Sequence, residues 1–140
     1  MSREFGLFSP RVELFTTWEE DLQLTDDAGP IDISGLHIVA QLRLEVPDTL
    51  PAPDPVIELT TPGYHTVPPT TYDSLEAFSI VNATTGHFHL TALPDEYSEI
   101  VSPTNAKTKL YWDIKMVAST GHAVPVVRGK VTFKPATTIP

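Results

Sequence analysis

Residues 107–135, KTKLYWDIKMVASTGHAVPVVRGKVTFKP, alternate apolar and polar side chains at every second position in two stretches joined by a turn. Leu110, Trp112, Ile114, Met116 and Ala118 share one parity of the first stretch, with Lys109, Tyr111, Asp113 and Lys115 between them. A period of two places the sets on opposite faces of a pleated strand, whereas a helix needs apolar positions recurring at three and four. The second stretch sets Val127, Gly129, Val131 and Phe133 against Arg128, Lys130, Thr132 and Lys134. Ser119-Thr120-Gly121-His122 is the reversal between them, since Gly takes the positive φ of a tight turn. A ribbon with one oily face needs a second layer to cover it.

The rest of the chain supplies short strands. Residues 36–46, LHIVAQLRLEV, carry Leu36, Ile38, Ala40, Leu42, Leu44 and Val46 on one parity, which predicts a central strand. Similar patterning predicts strands at 11–18, 21–25, 56–60, 78–81 and 87–93, with turns at 26–30 and 82–86. Residues 94–101 open on Pro94, suited to a first helical position, and predict one helical turn. The 14 prolines concentrate in connectors at 47–55 and 61–73, where a missing N–H excludes a central strand. The expectation is one all-β domain over residues 11–140, an antiparallel β-sandwich of about seven to nine strands with long proline-rich loops. Residues 1–10, with Phe5, Leu7 and Phe8, are expected as an N-terminal arm that covers a core edge or reaches a neighbour.

A formal charge of −9 and only nine scattered basic residues argue against nucleic acid as a partner, because phosphate contacts are made mainly by Lys and Arg. Without cysteine there is no disulfide frame, thiolate nucleophile or sulfur metal site. The N-terminus lacks a basic stretch followed by an apolar run of signal-peptide length, and no window approaches the apolar length of a membrane span, so neither export by signal peptide nor a membrane partner is expected.

Chemistry-bearing motifs are sparse. His87 and His89 share a strand face and could hold zinc or copper if a third ligand came from His65, His122, Asp73 or Glu76; the plainer reading is two imidazoles on a solvated face. Glu19-Glu20-Asp21 and Asp26-Asp27 lack the oxygen spacing of a calcium loop. No nucleophile elbow, phosphate loop or zinc-protease motif occurs, so the chain reads as no enzyme, with no catalytic residue, metal or cofactor. Tyr111 and Asp113 face away from the core parity, toward a second covered face or a partner.

The order of these signals resembles a family of small tailed-phage tail and baseplate domains, like those at the N-terminus of siphophage upper baseplate proteins. The resemblance runs from Trp18 to about Thr138. It rests on Pro30-Ile31-Asp32-Ile33-Ser34-Gly35 leading into the strand that reaches Arg43, on Ile57-Glu58-Leu59-Thr60, on Thr85-Gly86-His87-Phe88-His89-Leu90, on Leu93-Pro94, and on Tyr111-Trp112-Asp113-Ile114 paired with Val127-Arg128-Gly129-Lys130-Val131-Thr132-Phe133. It implies an immunoglobulin-like sandwich serving as a non-catalytic structural protein of the virion, assembled in the host cytoplasm. Such a protein is an adaptor in the tail, baseplate or connector. Its partners would be other virion proteins and copies of itself in a symmetric assembly. The connectors at 47–55 and 62–73 exceed the family pattern. No receptor-binding or coiled-coil segment is expected after Pro140, an expectation that favours an adaptor over an adhesin subunit. Contacts are expected through Phe5 and Phe8 of the arm, Pro51 and Pro53 of the first connector, and Tyr64 and Tyr72 of the second. The alternative is a carbohydrate- or host-surface-binding module that uses exposed aromatics such as Tyr64 and Tyr72.

Overall fold

The alternating ribbon lies inside a seven-stranded sheet, and a smaller sheet covers its oily face. The computed structural model describes residues 6–44, 55–64, 73–101 and 108–134. In chain order the strands are β1 (Gly6–Leu7), β2 (Arg11–Glu13), β3 (Trp18–Gln23), β4 (Thr25–Asp26), β5 (Gly29–Pro30), β6 (His37–Arg43), β7 (Ile57–Thr60), β8 (Asp73–Leu75), β9 (Phe78–Asn82), β10 (His87–Ala92), β11 (Thr108–Val117) and β12 (Ala123–Lys134). Helix α1 (Pro94–Val101) connects β10 toward β11.

The large sheet runs β1-β12-β11-β6-β7-β8, with β2 also on β12; the small sheet runs β3-β10-β9, and β4–β5 is a two-stranded hairpin. The long ladders are antiparallel, while β1 and β2 on β12, and β8 on β7, pair in parallel. Trp112 stands opposite Leu42 on one side and Gly129 on the other, so one parity of three strands faces inward together. Ile38, Ala40, Leu42, Ile57, Leu59, Leu110, Trp112, Ile114, Met116, Val127, Val131 and Phe133 are all buried. From the small sheet come Trp18, Phe78, Phe88 and Leu90. Trp18 is the cross-layer contact, 5.9 Å from the Trp112 ring and edge-on to Phe133 at 5.5 Å. Each such fully buried side chain contributes about 1.5–3 kcal/mol by leaving water. The chain is an all-β sandwich.

Several local expectations change. The strand foreseen at 11–18 breaks after Glu13, because Phe15 adopts φ 63 and points outward while Leu14 stays buried. A non-glycine residue in that region costs about 1–2 kcal/mol, so something else must hold it. The Phe15 N–H donates to Ser98 Oγ at 2.9 Å, and Tyr97 donates its hydroxyl to the carbonyl of Thr16 at 2.9 Å. Trp18 therefore opens β3 instead of closing an earlier strand. The strand at 36–46 ends at Arg43, and Leu44 is exposed; Val46 lies outside the described residues. In β9 Phe78 is buried, whereas Ile80 and Val81 are exposed. Helix α1 is eight residues long, more than one turn, and buries Tyr97 and Val101 in the core. Its start is secured by the Leu93 N–H donating to Glu96 Oε1 at 3.0 Å. The segment foreseen as an arm is, from Gly6 onward, paired along β12.

Candidate interaction groove on the outer face of the large sheet

Two cross-strand rows face away from the core. One is Glu58–Gln41–Asp113–Arg128 across β7, β6, β11 and β12; the next is Arg43–Tyr111–Lys130. Gln41 donates its side-chain amide to Glu58 Oε2 at 2.8 Å, and Arg43 Nη2 donates to Gln41 Oε1. Asp113 sits between two cations, with Arg43 Nη1 at 3.7 Å from one oxygen and Lys115 Nζ at 3.6 Å from the other. Asp113 Oδ1 is buried and accepts no hydrogen bond among the described residues. Lys130 Nζ lies 5.4 Å from the centre of the Tyr111 ring, an arrangement in which the ring's negative face attracts the ammonium.

Gln41, Arg43, Tyr111, Asp113, Arg128 and Lys130, with Leu7 and Ser9 from the edge, line an open groove of about 680 Å³. Arg43 and Glu58 are buried although they lie on the face away from the core, whereas Arg128 and Lys130 are exposed at the groove's mouth. The edge wall is held in place from behind. Phe8 turns its ring onto Trp112, centroids 6.1 Å apart, and its carbonyl accepts the Trp112 indole N–H at 3.0 Å. Such close approach requires Gly129, because a Cβ there would clash with the Phe8 carbonyl. The Lys130 N–H then donates to Ser9 Oγ at 3.2 Å.

Neither a protein-family model nor a curated protein matches this chain.

The register also reveals where the charge resides. Every Lys and Arg among the described residues, namely Arg11, Arg43, Lys109, Lys115, Arg128, Lys130 and Lys134, falls on the outer parity of the large sheet. The described cations, scattered along the sequence, thus share one sheet face with the carboxylates of Glu13, Glu58 and Asp113. Two-residue periodicity places the cations there, since β11 and β12 carry them at the positions between core residues.

The residues named for contact are not brought together. Phe8 is half-buried on its own domain, and Tyr64 is half-buried with its ring 5.5 Å from that of His37. Phe5, Pro51, Pro53 and Tyr72 lie outside the described residues. Tyr111 and Asp113, identified as facing away from the core, do floor the groove. Sequence reasoning missed Arg43, Gln41 and Arg128, whose common signal was their parity relative to the core set.

On β10, His89 stands opposite Asp21 of β3 and His87 opposite Gln23. Asp21 Oδ1 is 2.6 Å from His87 Nε2 and 3.6 Å from His89 Nδ1. The hydrogen bond to His87, followed by the positive charge of the imidazoles, holds the Asp21 carboxyl below its ordinary range. Glu20, on the inward side of the same strand, is pushed up by burial despite accepting the Trp18 indole N–H at 3.1 Å. Among the described residues no three His, Asp or Glu side chains are placed to hold a metal ion, and no helix is long and apolar enough to cross a membrane.

Proposed function

We propose that this chain is a non-catalytic structural protein of a tailed-phage virion, an adaptor of tail, baseplate or connector that works through protein–protein contacts. The ordered series of segments similar to the phage tail domains supports this reading. The observation that carries it is an open rim: β9 pairs only with β10 among the described residues, and it displays Val81 at 57% and Ile80 at 39% exposure. An edge strand with free N–H and C=O groups and apolar side chains is a template for strand addition by a neighbour. Repeated assemblies use such edges where a lone protein would shield them.

The test is immunoelectron microscopy of purified particles of the phage that encodes the chain, using antibody raised against the purified protein. Label confined to the tail or its junction is the expected outcome. Protein recovered only from the particle-free lysate would reject the reading.

A further inference from the structure

We infer that the basic face of the large sheet docks the acidic side of a second copy of this chain, head to tail, with the groove around Arg128 and Lys130 at the centre of the contact. This deepens the structural-protein reading and rests on it for its biological setting, but it is testable on the purified protein alone.

The attraction between copies is electrostatic. The whole chain carries −9, so two copies approaching at random repel one another. Residues 108–134 nevertheless carry five cations against one carboxylate; Arg11 and Arg43 extend the same face, which also bears Glu13 and Glu58, so its cations still outnumber its carboxylates. Residues 18–32, in contrast, carry six carboxylates and no Lys or Arg. Glu19 and Asp21 of that stretch are exposed on the small sheet, in the opposite layer of the sandwich, and Asp27 is exposed in the β4–β5 turn. The molecule is therefore polar from one layer to the other.

Charge of this layout selects the mode of contact. Face-to-face twofold docking would oppose cation to cation in the groove, or carboxylate to carboxylate on the other side. Only basic face against acidic side is attractive. Arg128 and Lys130 are both exposed, so carboxylates of the acidic partner can reach them. A heterologous contact leaves one face of each kind free at the ends, so it continues until it closes as a ring or grows as a filament. A polyanion such as DNA also favours a basic patch, but the surrounding body of −9 repels it and the groove is local.

The experiment is sedimentation velocity over a concentration series, in about 0.1 M salt and in about 1 M salt, where the Debye length falls from about 10 Å to about 3 Å. Species larger than dimers at low salt, with apparent association at least about tenfold weaker at high salt, are expected. Arg128→Gln with Lys130→Gln should abolish association. Ser119→Glu with Thr120→Glu, in the exposed β11–β12 turn, reaches the same net charge and should leave it largely intact. Glu19→Gln with Asp27→Asn reduces overall repulsion and should still weaken association at least about tenfold; strengthening would overturn the proposal. So would a wild-type monomer at low salt, a salt-insensitive dimer, or preferential binding of a short DNA duplex. Protein that is labelled in particles but monomeric in solution would remove this contact and leave the structural role standing.

Discussion

The indole N–H of Trp112 donates to the carbonyl oxygen of Phe8 at 3.0 Å, joining a core ring to the edge of the sheet across 104 residues of sequence. The contact exists only because residue 129, next to Trp112 on the facing strand, has no side chain. Gly129→Ala should force the Phe8–Ser9 backbone away and cost about 1–3 kcal/mol, the range for overpacking a filled site. Urea unfolding measures the cost, and limited proteolysis within residues 6–10 should accelerate in the variant. Unchanged stability together with an uncut edge would show that the approach is not constrained.

Tyr97 anchors the turn that carries the left-handed Phe15. Its hydroxyl lies 2.9 Å from the Thr16 carbonyl and 3.2 Å from that of Glu13, so Tyr97→Phe should cost about 0.5–1.5 kcal/mol. Burial, foremost, raises the Tyr97 pKa above the ordinary tyrosine value. A folded-state value above the unfolded one means the contribution is fully present below the ordinary tyrosine range and is lost as pH rises through the folded value. The stability gap between wild type and Tyr97→Phe should therefore narrow in strongly alkaline solution. Thermal unfolding across that range checks it, and a constant gap would refute the assignment.

Asp21 gives the opposite sign. Its carboxyl is held low by His87 first and by His89, so its contribution is present above the ordinary Asp range and is lost as pH falls through the lowered folded value. Asp21→Asn should flatten part of the acid limb of the stability profile and leave the alkaline limb unchanged. A Tm profile identical to wild type at acid pH would show that the exposed pair contributes nothing.

Val81→Lys should separate fold from assembly. The residue is exposed, so stability should change by no more than about 0.5 kcal/mol, while a charge on the edge strand should block addition of a neighbouring strand. Expected is normal unfolding of the purified variant with loss of incorporation into particles. Normal incorporation would take β9 out of the assembly contact.

Gly86 shows how a turn signal in the sequence becomes a packing constraint. It has φ 69, and a Cβ there would meet the Ile31 carbonyl at 2.5 Å and that of Leu24 at 2.9 Å. Gly86→Ala should therefore destabilise by more than about 1 kcal/mol, combining left-handed strain with a clash against backbone. The urea midpoint measures it, and a midpoint within error of wild type would count against the close approach.

What sequence alone determined is the set of faces. Period-two alternation settled which sides of β6, β11 and β12 are oily, and thereby placed Leu42, Trp112 and Phe133 inside and Tyr111, Asp113 and Lys130 outside. Local turn chemistry at Gly86 and Gly121 was legible because positive φ favours glycine wherever the turn lies. Tertiary structure decided everything that joins distant segments. The parallel edge pairing of β1 and β2, the break at Phe15 held by Tyr97 and Ser98, the burial of Arg43, and the joining of β2, β6, β11 and β12 into one sheet that sets their cations side by side have no local signature. Strand order and register bring those residues together, and neither is encoded by the spacing of residues within a single strand.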